Sequence, residues 1–337
     1  MVDQHEKYMR RALELATLGR LYASPNPMVG CVIVQKDLII GEGWHQQYGG
    51  PHAEVNAVNS VADAADILGS TVYVTLEPCA HQGKTPPCAE LLSSLEPDRV
   101  VIATTDSNPK VSGKGISILE DAGIEVIIGV LSDHARRLNR RFFTAFEKNR
   151  PYVILKWAQT SDGFIARENY DSKWISNASS RKLVHKWRAE EDAILVGYNT
   201  AQHDNPSLTT RDWEGKNPIR IVIDPNMELA NDGNLFDQTT PTYRIVKDQE
   251  PQDGTIALPE ITPHLILEAL VQKDIHSIII EGGSKTLQQF IDAELWDEAR
   301  VFVSDVEFGK GISAPRLNRL PNKIEKVFGD QLHYYYA

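Results

Sequence analysis

The chain has 337 residues, 42% apolar and 24% charged, which is enough for two ordinary globular domains of about 150 residues each. Basic minus acidic residues, 35 − 46, leave a net charge of −11, a poor match for a nucleic-acid binder, which needs a basic footprint. No apolar run reaches the length of a membrane span and no signal-peptide pattern opens the chain, so a cytoplasmic protein without membrane or nucleic-acid partners is expected.

Met1–Leu18 predicts an amphipathic helix with Met9, Leu13 and Ala16 on one face. Met28–Val34 and Leu38–Gly41 predict strands, Ala53–Val61 a helix, and Val72–Leu76 a strand. After a Pro/Gly loop come a helix at Cys88–Leu95, a strand at Arg99–Ala103, a helix at Gly115–Ala122 and a strand at Glu125–Gly129. Asp133–Phe146 predicts one helix. Strands alternating with helices predict an α/β fold. The polar stretch Glu147–Pro151 predicts a linker, dividing the chain into domains 1–146 and 147–337. Beyond it, Tyr152–Trp157, Ala193–Val196, Ile219–Ile223, Ser277–Ile280 and Glu298–Val303 predict strands. Arg181–Ala189 and Lys285–Ala293 predict helices. Residues 226–260 are polar and turn-rich, and no element is legible there.

Three cysteines without a secretion signal argue for a reducing compartment and against a disulfide framework. Cys31, in the middle of an apolar strand, reads as a small core residue. The other two belong to a pattern: His52-Ala53-Glu54, then Pro78-Cys79, then Cys88. One imidazole and two thiolates suit zinc, and three protein ligands leave a fourth position for water, the mark of a catalytic rather than a structural site. Glu54 stands two residues after His52, within reach of that water without ligating the metal, and suits proton transfer. This is the zinc-deaminase arrangement, although eight residues separate the cysteines where the usual spacing is two. Lys84, in the loop between the cysteines, is placed either to meet a phosphate or to sit in solvent.

In the second half no G-x-G-x-x-G follows a strand. Ser277–Leu287 (SIIIEGGSKTL) instead runs a buried strand into Glu281, two glycines and a helix. Such a turn either cradles a phosphate or is merely structural. Trp174 can stack on a flat ring or fill a core, and Arg188 can grip a phosphate or face solvent.

The wording of these stretches is more specific than their chemistry. TLEPCAHQGKTPPC (75–88) and SPNPMVG (24–30) closely resemble the deaminase domain of the bifunctional riboflavin-biosynthesis deaminase–reductases. KWAQTSDG (156–163), SKWIS (172–176), HKWRAEEDAILVG (185–197), HDNPSL (203–208) and IRIVIDP (219–225) resemble the reductase domain in family order. The resemblance implies a cytidine-deaminase-like three-layer α/β/α domain followed by a dihydrofolate-reductase-like α/β domain. It implies zinc on His52, Cys79 and Cys88, with Glu54 catalytic, and substrate contacts from Asn26, His45, Lys84, Asp106 and Asn108. The last two lie in a D-S-N-P stretch where the family has D-P-N-P. For the reductase it implies substrate contacts from Ser172, Arg188, Leu208, Arg211 and Glu281. NADPH contacts would come from Ala158, Trp174, Thr200, Asp204, Gly283, Ser284, Lys285, Thr286, Leu287, Gln288 and Gln289, and Lys156 and Asp204 would line the reaction centre. A homo-oligomer, dimer or larger, and phosphorylated pyrimidine substrates complete the expectation. Val303–Gly309 (VSDVEFG) departs from the family pattern. The rival readings are a zinc deaminase acting on nucleotides or tRNA with a non-catalytic second domain, and a zinc-stabilised binding protein. The second rival leaves Glu54 without a task.

Overall fold

The computed structural model describes residues 2–80, 87–108, 111–172, 175–250 and 252–337. The chain divides into two compact units, Met1–Lys148 and Asn149–Ala337. No helix among the described residues is long and apolar enough to cross a membrane.

In chain order the first unit runs α1 (Val2–Thr17), β1 (Gly30–Gln35), β2 (Leu38–Trp44), α2 (Ala53–Ser60), β3 (Thr71–Val74), α3 (Cys88–Leu95), β4 (Arg99–Ile102), α4 (Lys114–Asp121), β5 (Glu125–Ile128), α5 (Ser132–Leu138) and α6 (Arg140–Lys148). The sheet order is β2-β1-β3-β4-β5; β1 is antiparallel to both neighbours, and β3, β4 and β5 are parallel. Alternation along β1 sorts the two faces. Cys31 and Ile33 pack with Ala57 of α2, Leu92 of α3 and Leu119 of α4. Val32 and Val34 pack with Met9 and Ala12 of α1 and Ala135 of α5. The result is the three-layer α/β/α sandwich that the family resemblance implies.

The single helix expected over Asp133–Phe146 is instead two. The break falls at Asn139, whose side chain leaves the helix pattern to serve Met28. Its Oδ1 accepts from the Met28 N–H and its Nδ2 donates to the Met28 carbonyl, both at 2.8 Å and both buried. A side chain that satisfies another segment's backbone competes with its own helix. The same contact fixes the strap that carries Asn26.

The second unit continues β6 (Tyr152–Gln159), β7 (Phe164–Ala166), α7 (Ala178–Glu190), β8 (Ala193–Val196), α8 (Tyr198–Asp204), β9 (Ile219–Ile223), β10 (Thr242–Lys247), β11 (Thr255–Leu258), α9 (Pro263–Val271), β12 (Ser277–Glu281), α10 (Ser284–Asp292), β13 (Glu298–Val303), β14 (Ile312–Ser313), β15 (Lys323–Val327) and β16 (Asp330–Tyr336). Nine strands form one sheet in the order β11-β10-β9-β8-β12-β6-β13-β16-β15, parallel from β11 to β13. Helices cover both faces: α9 and α10 pack on one, α7 and α8 on the other. Strands buried on both sides read as unbroken apolar runs, which is why β8 and β12 are legible in the sequence. β10 and β11 lie at an edge of the sheet and account for the unreadable segment 226–260.

Candidate active sites

In the first unit the α2 and α3 N-termini converge. His52 is the residue before α2, and Cys88 is the first residue of α3. Cys79 lies in the coil after β3, not at a helix start. It nevertheless accepts the Cys88 backbone N–H at 3.4 Å, so the α3 terminus still faces it. His52 Nδ1 is 3.5 Å from Cys79 Sγ and 3.3 Å from Cys88 Sγ, and the three atoms lie within 4.8 Å of one another. Tetrahedral zinc, with bonds of about 2.3 Å to sulfur and about 2.0–2.1 Å to nitrogen, holds such atoms about 3.6 Å apart. The donor set and its two nitrogen–sulfur separations therefore fit tetrahedral zinc.

The thiols are prepared for a cation. Cys79 is held down at about 4, first by the hydrogen bond from Cys88 and further by His52, although burial opposes it. Cys88 is pushed up by that same shared proton and by burial. Glu54, in the first turn of α2, is 3% exposed, and burial raises its carboxyl to about 7. A carboxyl tuned to neutrality both accepts and gives a proton.

Asn26 and His45 join this site. Asn26 Nδ2 is 3.1 Å from His45 Nε2, His45 Nδ1 is 3.0 Å from the Pro51 carbonyl, and the His45 ring meets the His52 ring edge-on at 5.6 Å. Burial lowers the His45 pKa, favouring the neutral ring. Asp106 is buried, and its Oδ1 accepts the Asn108 N–H at 2.7 Å. His81 and Lys84 fall outside the described residues.

Sequence reasoning missed Glu77. Its buried carboxylate accepts backbone N–H groups from Asp106 at 3.2 Å, Gly113 at 3.1 Å and Gly115 at 3.1 Å. It ties the loop carrying Asp106 and Asn108 to the strap carrying Cys79. A lone carboxylate in the apolar run from Val72 to Pro78 was the available signal, because a buried charge must find partners.

In the second unit a cleft of about 1450 Å³ opens at the C-terminal ends of β6, β8, β9 and β12. Ligands of open parallel sheets bind at such ends, where strand order reverses. β12 enters between β8 and β6, so the reversal falls here. Lys156, Arg188, Glu281, Ser172, Leu208 and Arg211 all line the cleft. Glu281 Oε2 is 3.1 Å from Arg188 Nη2 and 3.7 Å from Lys156 Nζ, and its Oε1 is buried without a hydrogen-bond partner. Burial pushes the Glu281 carboxyl up, but Arg188 and Lys156 outweigh it and hold it below its usual value. Burial lowers Lys156, with Glu281 opposing.

The opposite wall is built from two helix starts. The α8 start brings Thr200 and, at the helix end, Asp204, whose carboxylate oxygens are each 3.5 Å from Ser172 Oγ. The α10 start follows Gly282-Gly283 and has no side-chain cap, leaving its backbone donors for a ligand. Gly282 has φ 110°, and a Cβ there would come within 2.6 Å of Thr200 Oγ1, which accepts the Gly283 N–H at 2.9 Å. Ala158, Gly283, Ser284, Lys285, Thr286, Gln288 and Gln289 border the cleft. Leu287 does not. α10 already begins at Ser284, so the Leu287 side chain turns inward and is fully buried against the sheet. Trp174 falls outside the described residues.

A buried carboxylate beside a His/Cys/Cys triad, drawn from two helix starts and the coil after β3 of an α/β/α sandwich, defines the zinc-dependent deaminase class. The second unit adds a parallel-sheet cleft of a different kind. Residues 2–104 match the family described as cytidine and deoxycytidylate deaminase zinc-binding region, and residues 151–325 match the RibD C-terminal domain. The riboflavin biosynthesis protein RibD of Aquifex aeolicus is 41% identical over 93% of this chain and 90% of its own length. That of Escherichia coli is 35% identical over 98% and 96%. A solved structure of Acinetobacter baumannii RibD superposes with a TM-score of 0.92 at 35% identity, covering 100% of this chain and 99% of that one. The Thermotoga maritima diaminohydroxyphosphoribosylaminopyrimidine deaminase/5-amino-6-(5-phosphoribosylamino)uracil reductase gives 0.88 at 37% identity, covering 99% and 98%. The chain belongs to the RibD family of riboflavin-biosynthesis deaminase–reductases.

Proposed function

We propose that the first unit deaminates 2,5-diamino-6-ribosylamino-4(3H)-pyrimidinone 5′-phosphate and that the second reduces the resulting 5-amino-6-(5-phosphoribosylamino)uracil to its ribityl form with NADPH. The observation that carries the reading is the zinc-ready triad His52, Cys79 and Cys88 beside a buried Glu54. Zinc bound there supplies a Lewis acid that lowers the pKa of water. Glu54 takes a proton from that water and returns protons to the pyrimidine ring and the departing amine, so that a C–N bond breaks, a carbonyl forms and ammonia leaves. Asn26 and His45 orient the ring, Asp106 and Asn108 close the site, and Lys84 meets the phosphate.

NADPH held in the second cleft would supply the hydride that reduces the ribosyl C1′. Arg188 and Arg211 grip the substrate phosphate by charge-assisted hydrogen bonds. Leu208 and Ser172 complete the substrate wall, and Glu281 holds Lys156 where it can give a proton to the nitrogen on C1′. The α10 N-terminus from Gly283 to Thr286, whose N–H groups after Gly283 lack a side-chain cap, takes cofactor phosphate. Ala158, Thr200, Asp204, Gln288 and Gln289 line the rest, with Trp174 stacked on a ring. A dimer or larger assembly belongs to the same reading, and sedimentation checks it.

Metal content and cofactor titration test the two halves separately. One zinc per chain, lost in Cys88→Ser, and saturable NADPH binding that survives that substitution are expected. A metal-free wild-type protein, or no NADPH binding, contradicts the assignment of the corresponding unit.

A further inference from the structure

His185 occupies the middle of α7, is 4% exposed and faces the reductase cleft. Its Nδ1 lies 3.0 Å from the Thr209 carbonyl and 3.2 Å from the Arg211 backbone N–H. Its Nε2 lies 3.4 Å from Asp212 Oδ2. One nitrogen cannot donate to Thr209 and accept from Arg211 at once, so the neighbours decide the tautomer. The Asp212 carboxylate beside Nε2 favours the proton there. Nδ1 is then a lone pair, and the Arg211 N–H donates to it. The Thr209 carbonyl is not stranded, because Arg188 Nη1 donates to it at 3.3 Å.

We infer that His185 is a positioning residue for the reductase step, fixing the backbone of Arg211 so that its guanidinium meets the substrate phosphate beside Arg188. The inference rests on the reading that Arg211 binds substrate. Arg211 is itself exposed, on a stretch without regular secondary structure, so its aim depends on what anchors its backbone. Burial and the nearby Arg188 and Arg211 charges lower the His185 pKa, which keeps the acceptor lone pair in place at neutral pH. Two α7 side chains one turn apart thereby hold Thr209 and Arg211, the residues on either side of Thr210.

The test compares three variants of the full chain in steady-state reduction of 5-amino-6-(5-phosphoribosylamino)uracil. His185→Asn keeps an acceptor where Nδ1 stood; His185→Leu has the same branching without one. Arg211→Ala calibrates the phosphate contact. The expected result is a rise of roughly tenfold or more in KM for Arg211→Ala and His185→Leu, with kcat within about threefold of wild type. His185→Asn should recover most of the lost affinity. A raised KM in Arg211→Ala with none in His185→Leu overturns the inference alone, as does an Asn variant no better than Leu. An unchanged KM in Arg211→Ala overturns the substrate reading and the inference together.

Discussion

Gly115→Ala sets two physical effects against each other. Gly115 is a helical residue of α4, so helix propensity alone favours alanine by about 1 kcal/mol. The structure predicts the opposite. An alanine Cβ would lie 2.0 Å from the Pro78 carbonyl oxygen, where ordinary contact begins at 3.4 Å, so the two segments must separate by 1.4 Å. Both atoms are backbone and cannot rotate away. Overpacking of this kind costs roughly 1–3 kcal/mol even when partly relieved. The displacement falls on the residue before Cys79 and on the loop that Glu77 ties down. Metal bonds tolerate only about 0.2 Å. Thermal unfolding of the first unit should therefore fall by a few degrees, by about 2–4 °C per kcal/mol. Zinc affinity, read by competition with a chromogenic chelator, should fall by roughly 10–100-fold, the usual cost of a lost supporting contact. An alanine variant as stable as wild type with full zinc affinity would refute the claim that this contact sets the Cys79 position.

The remaining predictions concern single side chains. Glu54→Gln removes no metal donor, so zinc should remain stoichiometric by metal analysis while deamination falls by roughly 10²–10⁴-fold; zinc loss in that variant would sink the proton-transfer role. Leu287→Ala should cost roughly 2–5 kcal/mol in chemical denaturation and leave KM for NADPH unchanged, as a core residue would; a raised KM at unaltered stability would restore it to the cofactor site. Glu281 titrates below its usual value when folded, so its contribution is present above about pH 4.5 and fades as pH falls through the lower folded pKa. Glu281→Gln should lose that acid-dependent part, visible as a shallower decline of stability between neutral and acid pH. A curve parallel to wild type would contradict the ion-pair account.

What the sequence made legible follows from where each element sits. β8 is found at the expected bounds because a strand buried on both faces carries an uninterrupted apolar run, and β9 and β13 are found there although buried, ion-paired Arg220, Glu298 and Arg300 interrupt theirs. α3 begins at Cys88 as expected, with Pro87 just before it. The triad is legible for a different reason: metal ligands must be particular residue types, so chemistry restricts them more tightly than packing does. Asn139 shows the limit. Residues 133–146 carry a helical pattern, and the break comes from a contact 111 residues away in sequence. Glu77 and His185 are the same kind of case, since each acts on the backbone of a distant loop. Leu287 was placed with its neighbours as a block; once the helix start is fixed at Ser284, periodicity alone turns it into the core.

Mass-resolved product analysis tests the central claim most directly. Zinc-loaded protein receives the diaminopyrimidine ribosyl phosphate, with and without NADPH. The account predicts replacement of one amino group by a carbonyl without NADPH, and a further gain of two hydrogens only when NADPH is present. Deamination that never proceeds to reduction would contradict the assignment of the second cleft, and an unchanged substrate mass would contradict the account as a whole.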